Sequence, residues 1–128
     1  MRQKVYGPFF RDKKITVMGL GVLGRGLQVT AFLAECGANV TVTDLKSREA
    51  LMSSINALKK YKINYVLGKH KLKDFENVDL VIKAAGVPLD SKFIKHARSK
   101  DVPIAMDASL FAKLVQDIEP RITLIGIT

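Results

Sequence analysis

Gly19-Leu20-Gly21-Val22-Leu23-Gly24 sets three glycines at the G-x-G-x-x-G spacing, directly after the apolar run Lys14 to Met18 and before an apolar helical pattern. The chemistry open to such a stretch is anion capture. The glycines suit a tight turn, a close approach of backbone to a phosphate, and close packing of helix on sheet. The free N–H groups and dipole at the helix start attract negative charge. Asp44 ends the second apolar run, 20 residues after Gly24. There a carboxylate can accept a hydrogen bond from a ribose hydroxyl or a base edge, or help to start the next helix. Together they predict phosphate or nucleotide binding; the alternative is a glycine turn needed only for packing. Lys46 and Arg48 follow and could meet a phosphate or a base. Ala84-Ala85-Gly86-Val87-Pro88 brings small residues to the end of a later run, as a backbone surface for a ligand or as an ordinary turn before a helix.

Other chemistry has no support. His70 and His96 are far apart, with no Cys or carboxylate cluster at ligand spacing around either, so no metal site is expected and both read as surface residues. No G-x-S-x-G elbow occurs, and Cys36, the single cysteine, lies in an apolar helical stretch as a small core residue. The pattern is one of binding without a reaction centre.

The elements that must position these residues alternate between β-branched runs and helical patterns. The strands predicted are residues 14–18, 39–43, 64–67, 79–84, 103–106 and the closing run from Arg121 to Thr128. None alternates cleanly in polarity, as expected of strands buried on both faces. Helices are predicted from Leu23 to Cys36, stopped by Gly37, and from Arg48 to Tyr61, with Ser47 as N-cap and a stripe of Leu51, Ile55 and Leu58. A third follows Pro88 and carries Phe93, Ile94 and Ala97; a fourth carries Leu110, Phe111, Leu114 and Val115. The expected fold is α/β: a Rossmann-like doubly wound parallel sheet of five to six strands, helices on both faces, ligands beyond the carboxyl ends of the strands. Residues 1–13 read as a lead segment and residues 14–128 as one domain.

The 128 residues suffice for one core. Twenty-one Lys and Arg against twelve Asp and Glu give a net charge of +9, spread along the chain with few aromatics interleaved; this reads as a solvated basic surface rather than a nucleic-acid site. No run approaches the roughly 18 apolar residues of a membrane span, and the N-terminus lacks a signal-peptide pattern. With one cysteine, a reducing cytoplasm is the expected location, with neither nucleic acid nor membrane as partner.

GLGVLG, the TVTD ending at Asp44, Gly68-Lys69-His70, DLVIKAAGVP from Asp79 to Pro88 and ASLF from Ala108 to Phe111 together resemble the N-terminal domain of the Mur ligase family. Order and spacing are closest to its D-glutamate-adding members, and the resemblance covers about residues 14–128. It implies a domain that holds the UDP end of a UDP-N-acetylmuramoyl-peptide in an ATP-dependent peptidoglycan-precursor ligase. Backbone at Val22 and Leu23 would face the diphosphate, with Gly19, Gly21 and Gly24 shaping the turn. Asp44, Leu45 and Lys46 would surround the uracil, and Gly86 would lie near the nucleotide or sugar. In that family a strand like LIGIT, here Leu124 to Thr128, runs into a phosphate loop opening an ATP-binding domain. None of that loop's residues is present. The chain by itself is therefore expected to be non-catalytic and to bind no cofactor, with ATP and Mg2+ used by a parent enzyme whose central and C-terminal domains are its partners. Two departures stand out: Leu23 where the family often has a hydroxyl residue, and Ala84-Ala85-Gly86 where it has S-P-G. The competing expectation is an NAD-binding module of a dehydrogenase or regulatory protein, built on the same glycines and Asp44.

Overall fold

Five short runs rich in Val, Ile, Thr and Leu become strands: β1 (Lys14–Met18), β2 (Asn39–Asp44), β3 (Asn64–Leu67), β4 (Leu80–Lys83) and β5 (Ile104–Ala105). They form one parallel sheet in the order β3-β2-β1-β4-β5 in a computed structural model of the chain. It describes residues 2–21, 24–106, 109, 110 and 117, with side chains from Tyr6 onward. The expected sixth strand and most of the expected fourth helix lie outside the described residues.

Because alternate strand residues face opposite ways, the apolar runs divide into two cores. Ile15, Val17, Val40, Val42 and Ile82 join one cluster; Met18 and Val81 join the other. Over the first face lie α1 (Arg2–Phe10), α2 (Arg25–Glu35) and α3 (Met52–Ala57), contributing Phe10, Leu33 and Ile55. Over the second lie a 3-10 turn, Leu72–Phe75, and α4 (Lys92–Ser99), contributing Phe75, Ile94 and Ala97. Each of the larger side chains among these, fully buried, stabilises the fold by about 1.5–3 kcal/mol. Two faces covered by successive halves of the chain make the sheet doubly wound, as expected.

Several local details differ from the sequence reading. The lead segment is helical: α1 lays Tyr6 and Phe10 edge-on against Phe32 of α2, with centroids 5.2 and 5.8 Å apart, and Phe10 is only 4% exposed. The second helix is shorter than Arg48 to Tyr61. Ser47 Oγ accepts from Ala50 N at 3.2 Å and so closes a turn, while Leu51 N donates at 3.2 Å to both Ser47 O and Arg48 O, and regular helix begins only at Met52. The stripe still works, since Leu51, Ile55 and Leu58 are all buried. In α4, Ser91 caps the first turn by accepting from Phe93 N.

The chain leaves β1 toward β2 and β3 on one side and later fills β4 and β5 on the other. Crossovers therefore diverge between β1 and β4, opening a crevice at their carboxyl ends. Met18 pairs with Lys83 in that row, and Ala84 N donates to Met18 O at 2.9 Å, so the turns after β1 and β4 start side by side.

Candidate functional site

A cavity of about 430 Å³ occupies this crevice. Its wall includes Gly19, Gly21, Gly24, Asp44, Leu45, Lys46 and Gly86, so the structure unites seven of the nine expected site residues. Val22 and Leu23 lie outside the described residues.

The loop after β1 turns sharply because Gly19, Gly21 and Gly24 take φ of 100°, 69° and 98°, a region open to glycine at little cost. Gly19 also lies close to the neighbouring turn: a Cβ there would stand 2.9 Å from the Ala84 Cβ. The closest approach of helix to loop falls to Gly26, outside the six-residue fingerprint. A Cβ at Gly26 would lie 2.3 Å from Leu20 O and 2.5 Å from Gly19 O, whereas nothing lies within 4 Å at Gly24. The fuller pattern of Gly24-Arg25-Gly26 was the available signal, and it goes beyond the six-residue fingerprint.

Gly24 is the N-cap of α2 and provides no side-chain cap. An eleven-residue helix thus points its positive end at the cavity with no side-chain cap from Gly24, a ready anion site. Asp44 holds the loop in front of it. Its Oδ2 accepts from Leu20 N at 2.9 Å and Gly21 N at 3.2 Å, and its Oδ1 accepts from Lys46 N at 2.9 Å. The side chain is 7% exposed, and both carboxylate oxygens are engaged by backbone. Holding the loop is a role the sequence reading did not include, and the four acceptor sites of the carboxylate leave room for a ribose hydroxyl or a base edge as well. Leu45, 67% exposed, offers an apolar face at the rim, and Lys46 is exposed beside it. Arg48 is not on the wall; its guanidinium lies over the Tyr65 ring, 5.5 Å from the centroid.

Lys83 and His70 are among the wall residues that were not expected. Lys83 is buried at the end of β4, and His70, read as a surface residue, is half-buried after β3. His70 Nδ1 and Thr43 Oγ1 share a 2.7 Å hydrogen bond, and the ring meets Phe93 edge-on at 5.1 Å. His96 is likewise half-buried, its Nε2 2.8 Å from Glu76 Oε2. The sequence signal for His70 was its place just after a strand, at the sheet edge where ligands bind.

Burial lowers the His70 pKa from its ordinary value near 6.5, with Asp44 and Asp74 partly opposing the shift. A depressed folded value means that the unfolded chain binds the extra proton more readily. The stabilising effect of neutral His70 is thus complete above about pH 6.5 and lost as pH falls through the folded pKa. Melting temperature should accordingly drop between pH 7.5 and pH 5, with a shallower slope in His70→Gln. Equal slopes in the two chains would contradict the assignment.

Among the described residues, no group of three or more His, Cys, Asp or Glu is arranged to hold a metal, and no helix is long and apolar enough to cross a membrane.

Comparison with known proteins places this geometry. The family model described as Mur ligase MurD-like, N-terminal domain, matches residues 13–106. Proteins named UDP-N-acetylmuramoylalanine–D-glutamate ligase are similar to the chain. That of Roseiflexus sp. (strain RS-1) is 41% identical over 80% of this chain and 22% of its own length. That of Borreliella burgdorferi (strain ZS7) is 44% identical over 79% and 22%, and that of Treponema pallidum (strain Nichols) 42% over 81% and 20%. The chain thus spans about a fifth of the length of these relatives. The crystal structure of UDP-N-acetylmuramate-alanine ligase MurC from Thermotoga maritima shares the fold, with a TM-score of 0.62 and 24% identity over 82% of this chain and 23% of that one. With its parallel sheet, switch-point cavity and glycine loop, the chain belongs to the MurD-like Mur ligases, as their N-terminal domain.

Proposed function

We propose that this chain binds the UDP end of a UDP-N-acetylmuramoyl-peptide, as the N-terminal domain of an ATP-dependent ligase that adds D-glutamate to a peptidoglycan precursor. The observation that carries the reading is the positive end of α2, facing a cavity whose glycine loop is held by Asp44. The ends of β2, β1 and β4 are successive along the sheet, about 10 Å from first to last at the usual strand spacing. That row accommodates a base beside Asp44, Leu45 and Lys46, a diphosphate at the loop from Gly19 to Gly24, including the backbone at Val22 and Leu23, and a sugar toward Gly86. ATP and Mg2+ act in the other domains of the parent enzyme, which supply the reacting groups that this chain lacks. A precursor ligase of this kind works in the cytoplasm. The dinucleotide alternative finds no support among the relatives, which are named as D-glutamate ligases.

Thermal-shift and calorimetric titration with UDP, UDP-N-acetylmuramoyl-L-alanine and NAD tests the reading. A ligand specific for the folded state adds about 2.7 kcal/mol at one hundred times its Kd. The uridine ligands should stabilise the chain and NAD should not; stabilisation by NAD alone would overturn the reading.

A further inference from the structure

We propose that Lys83 is a positioning residue for the sugar side of the ligand: its ammonium presets the turn Ala84 to Val87, which receives whatever follows the loop-bound phosphates. This rests on the nucleotide-sugar reading of the cavity. Lys83 is 7% exposed, although lysine is almost never buried without partners. Its Nζ donates to Val87 O at 2.9 Å and to Ala84 O at 3.3 Å. Those carbonyls are the two ends of one turn, itself closed by Val87 N donating to Ala84 O at 3.1 Å. Among the described residues, no carboxylate pairs with Lys83.

Burying an ammonium is costly unless its hydrogen bonds are made. Here the bonds made by Nζ bind one short turn to its own strand. Nothing else of the kind is available there, because Ala84, Ala85 and Gly86 have no polar side chain and no proline lies between Ala84 and Val87. Ala85 and Gly86 line the cavity, and the Gly86 N–H has no acceptor among the described residues, leaving a donor for a ligand. At Gly86 nothing lies within 4 Å of where a Cβ would stand, so the turn faces open space. The order β2-β1-β4 puts this turn farthest from Asp44. A base held at Asp44 and phosphates at α2 leave only the following sugar to reach it.

Lys83→Met keeps the length of the side chain and removes the ammonium. Calorimetry on the 128-residue chain should show UMP affinity unchanged within about twofold and UDP-N-acetylmuramoyl-L-alanine weakened roughly tenfold, the size of a lost preorganisation term. Adding Ala85→Pro should recover that affinity, since proline at the second position of a turn presets it covalently. Ala85 has no positive φ, and its N–H gives up no bond. Equal loss for both ligands, no loss, or a loss that Ala85→Pro leaves in place would overturn the proposal. Should Lys83→Met fail to fold by circular dichroism, Ala85→Pro alone decides: unchanged or tighter sugar-nucleotide binding supports a preset turn, and weaker binding overturns it. If the unaltered chain binds no uridine ligand, the nucleotide-sugar reading itself fails, which the titration of that chain reports separately.

Discussion

Gly26→Val should destabilise the chain by about 3 kcal/mol or more, the range of severe overpacking against backbone. For a domain of this size that lowers the melting temperature by roughly 12 °C. Helix propensity argues the other way, because removing a glycine from a helix gains up to about 1 kcal/mol. The close approach wins. A first side-chain carbon at position 26 would stand 2.3 Å from Leu20 O and 2.5 Å from Gly19 O. Both oxygens belong to a loop that is pinned from below: Gly19 N donates to Thr43 O at 2.8 Å, and Leu20 N donates to Asp44. The strain is relieved only by lifting the start of α2, which also moves the anion site and weakens any phosphate ligand. Gly24→Ala is the control, since it meets no atom within 4 Å and suffers only the strain of φ near 98°, about 1–2 kcal/mol. If thermal melts put Gly26→Val level with the unaltered chain, α2 is not seated on the loop as described.

Asp44→Ala should cost nearly as much stability and more binding. Three backbone N–H groups lose their acceptor. That of Leu20 is buried, and an unsatisfied buried donor costs about 1–3 kcal/mol by itself. The N–H groups of Gly21 and Lys46 are nearer the surface and can turn to water, so the total expected is about 3 kcal/mol. Uridine ligands should bind at least tenfold more weakly, because the glycine loop loses the anchor that aims it at the cavity. Asp44→Asn should fall between: its one oxygen can face Leu20 and Gly21 or face Lys46, but not both, and its amide group then opposes a second donor. Calorimetry with UDP and thermal melts on both variants check this. Lost binding in an Asp44→Ala chain that melts within about 2 °C of the parent would mean that the carboxylate serves the ligand directly.

The strand-loop-helix unit at Lys14 to Glu35 was legible because its signals are local. A β-branched run, glycines needing positive φ and an apolar helical pattern all act within a few residues of themselves. Strands at residues 14–18 and 64–67 match the sequence reading to the residue. The second helix was over-read, because a good stripe of Leu51, Ile55 and Leu58 fixes burial without fixing regular helix at Arg48 to Leu51. His70 was misjudged since polarity alone suggests exposure, and only the nearness of Thr43, Phe75 and Phe93 makes a half-buried ring favourable.

By itself, then, the sequence determined that a glycine loop joins the first strand to the first helix, that the sheet is parallel, and that Asp44 lies at the same sheet edge as Gly19 and Gly86. Those outcomes follow from periodicity and from the right-handed connection of successive strands. Only the tertiary structure decided that Gly26 is the point of closest approach, that Asp44 grips the loop, and that Lys83 is folded beneath the next turn. Each of these depends on distances of a few ångströms between residues that chain order does not bring together, or on which way a side chain turns once it is buried. Burial makes such distances consequential, because a clash with a fixed carbonyl or an unmade hydrogen bond cannot be relieved by water.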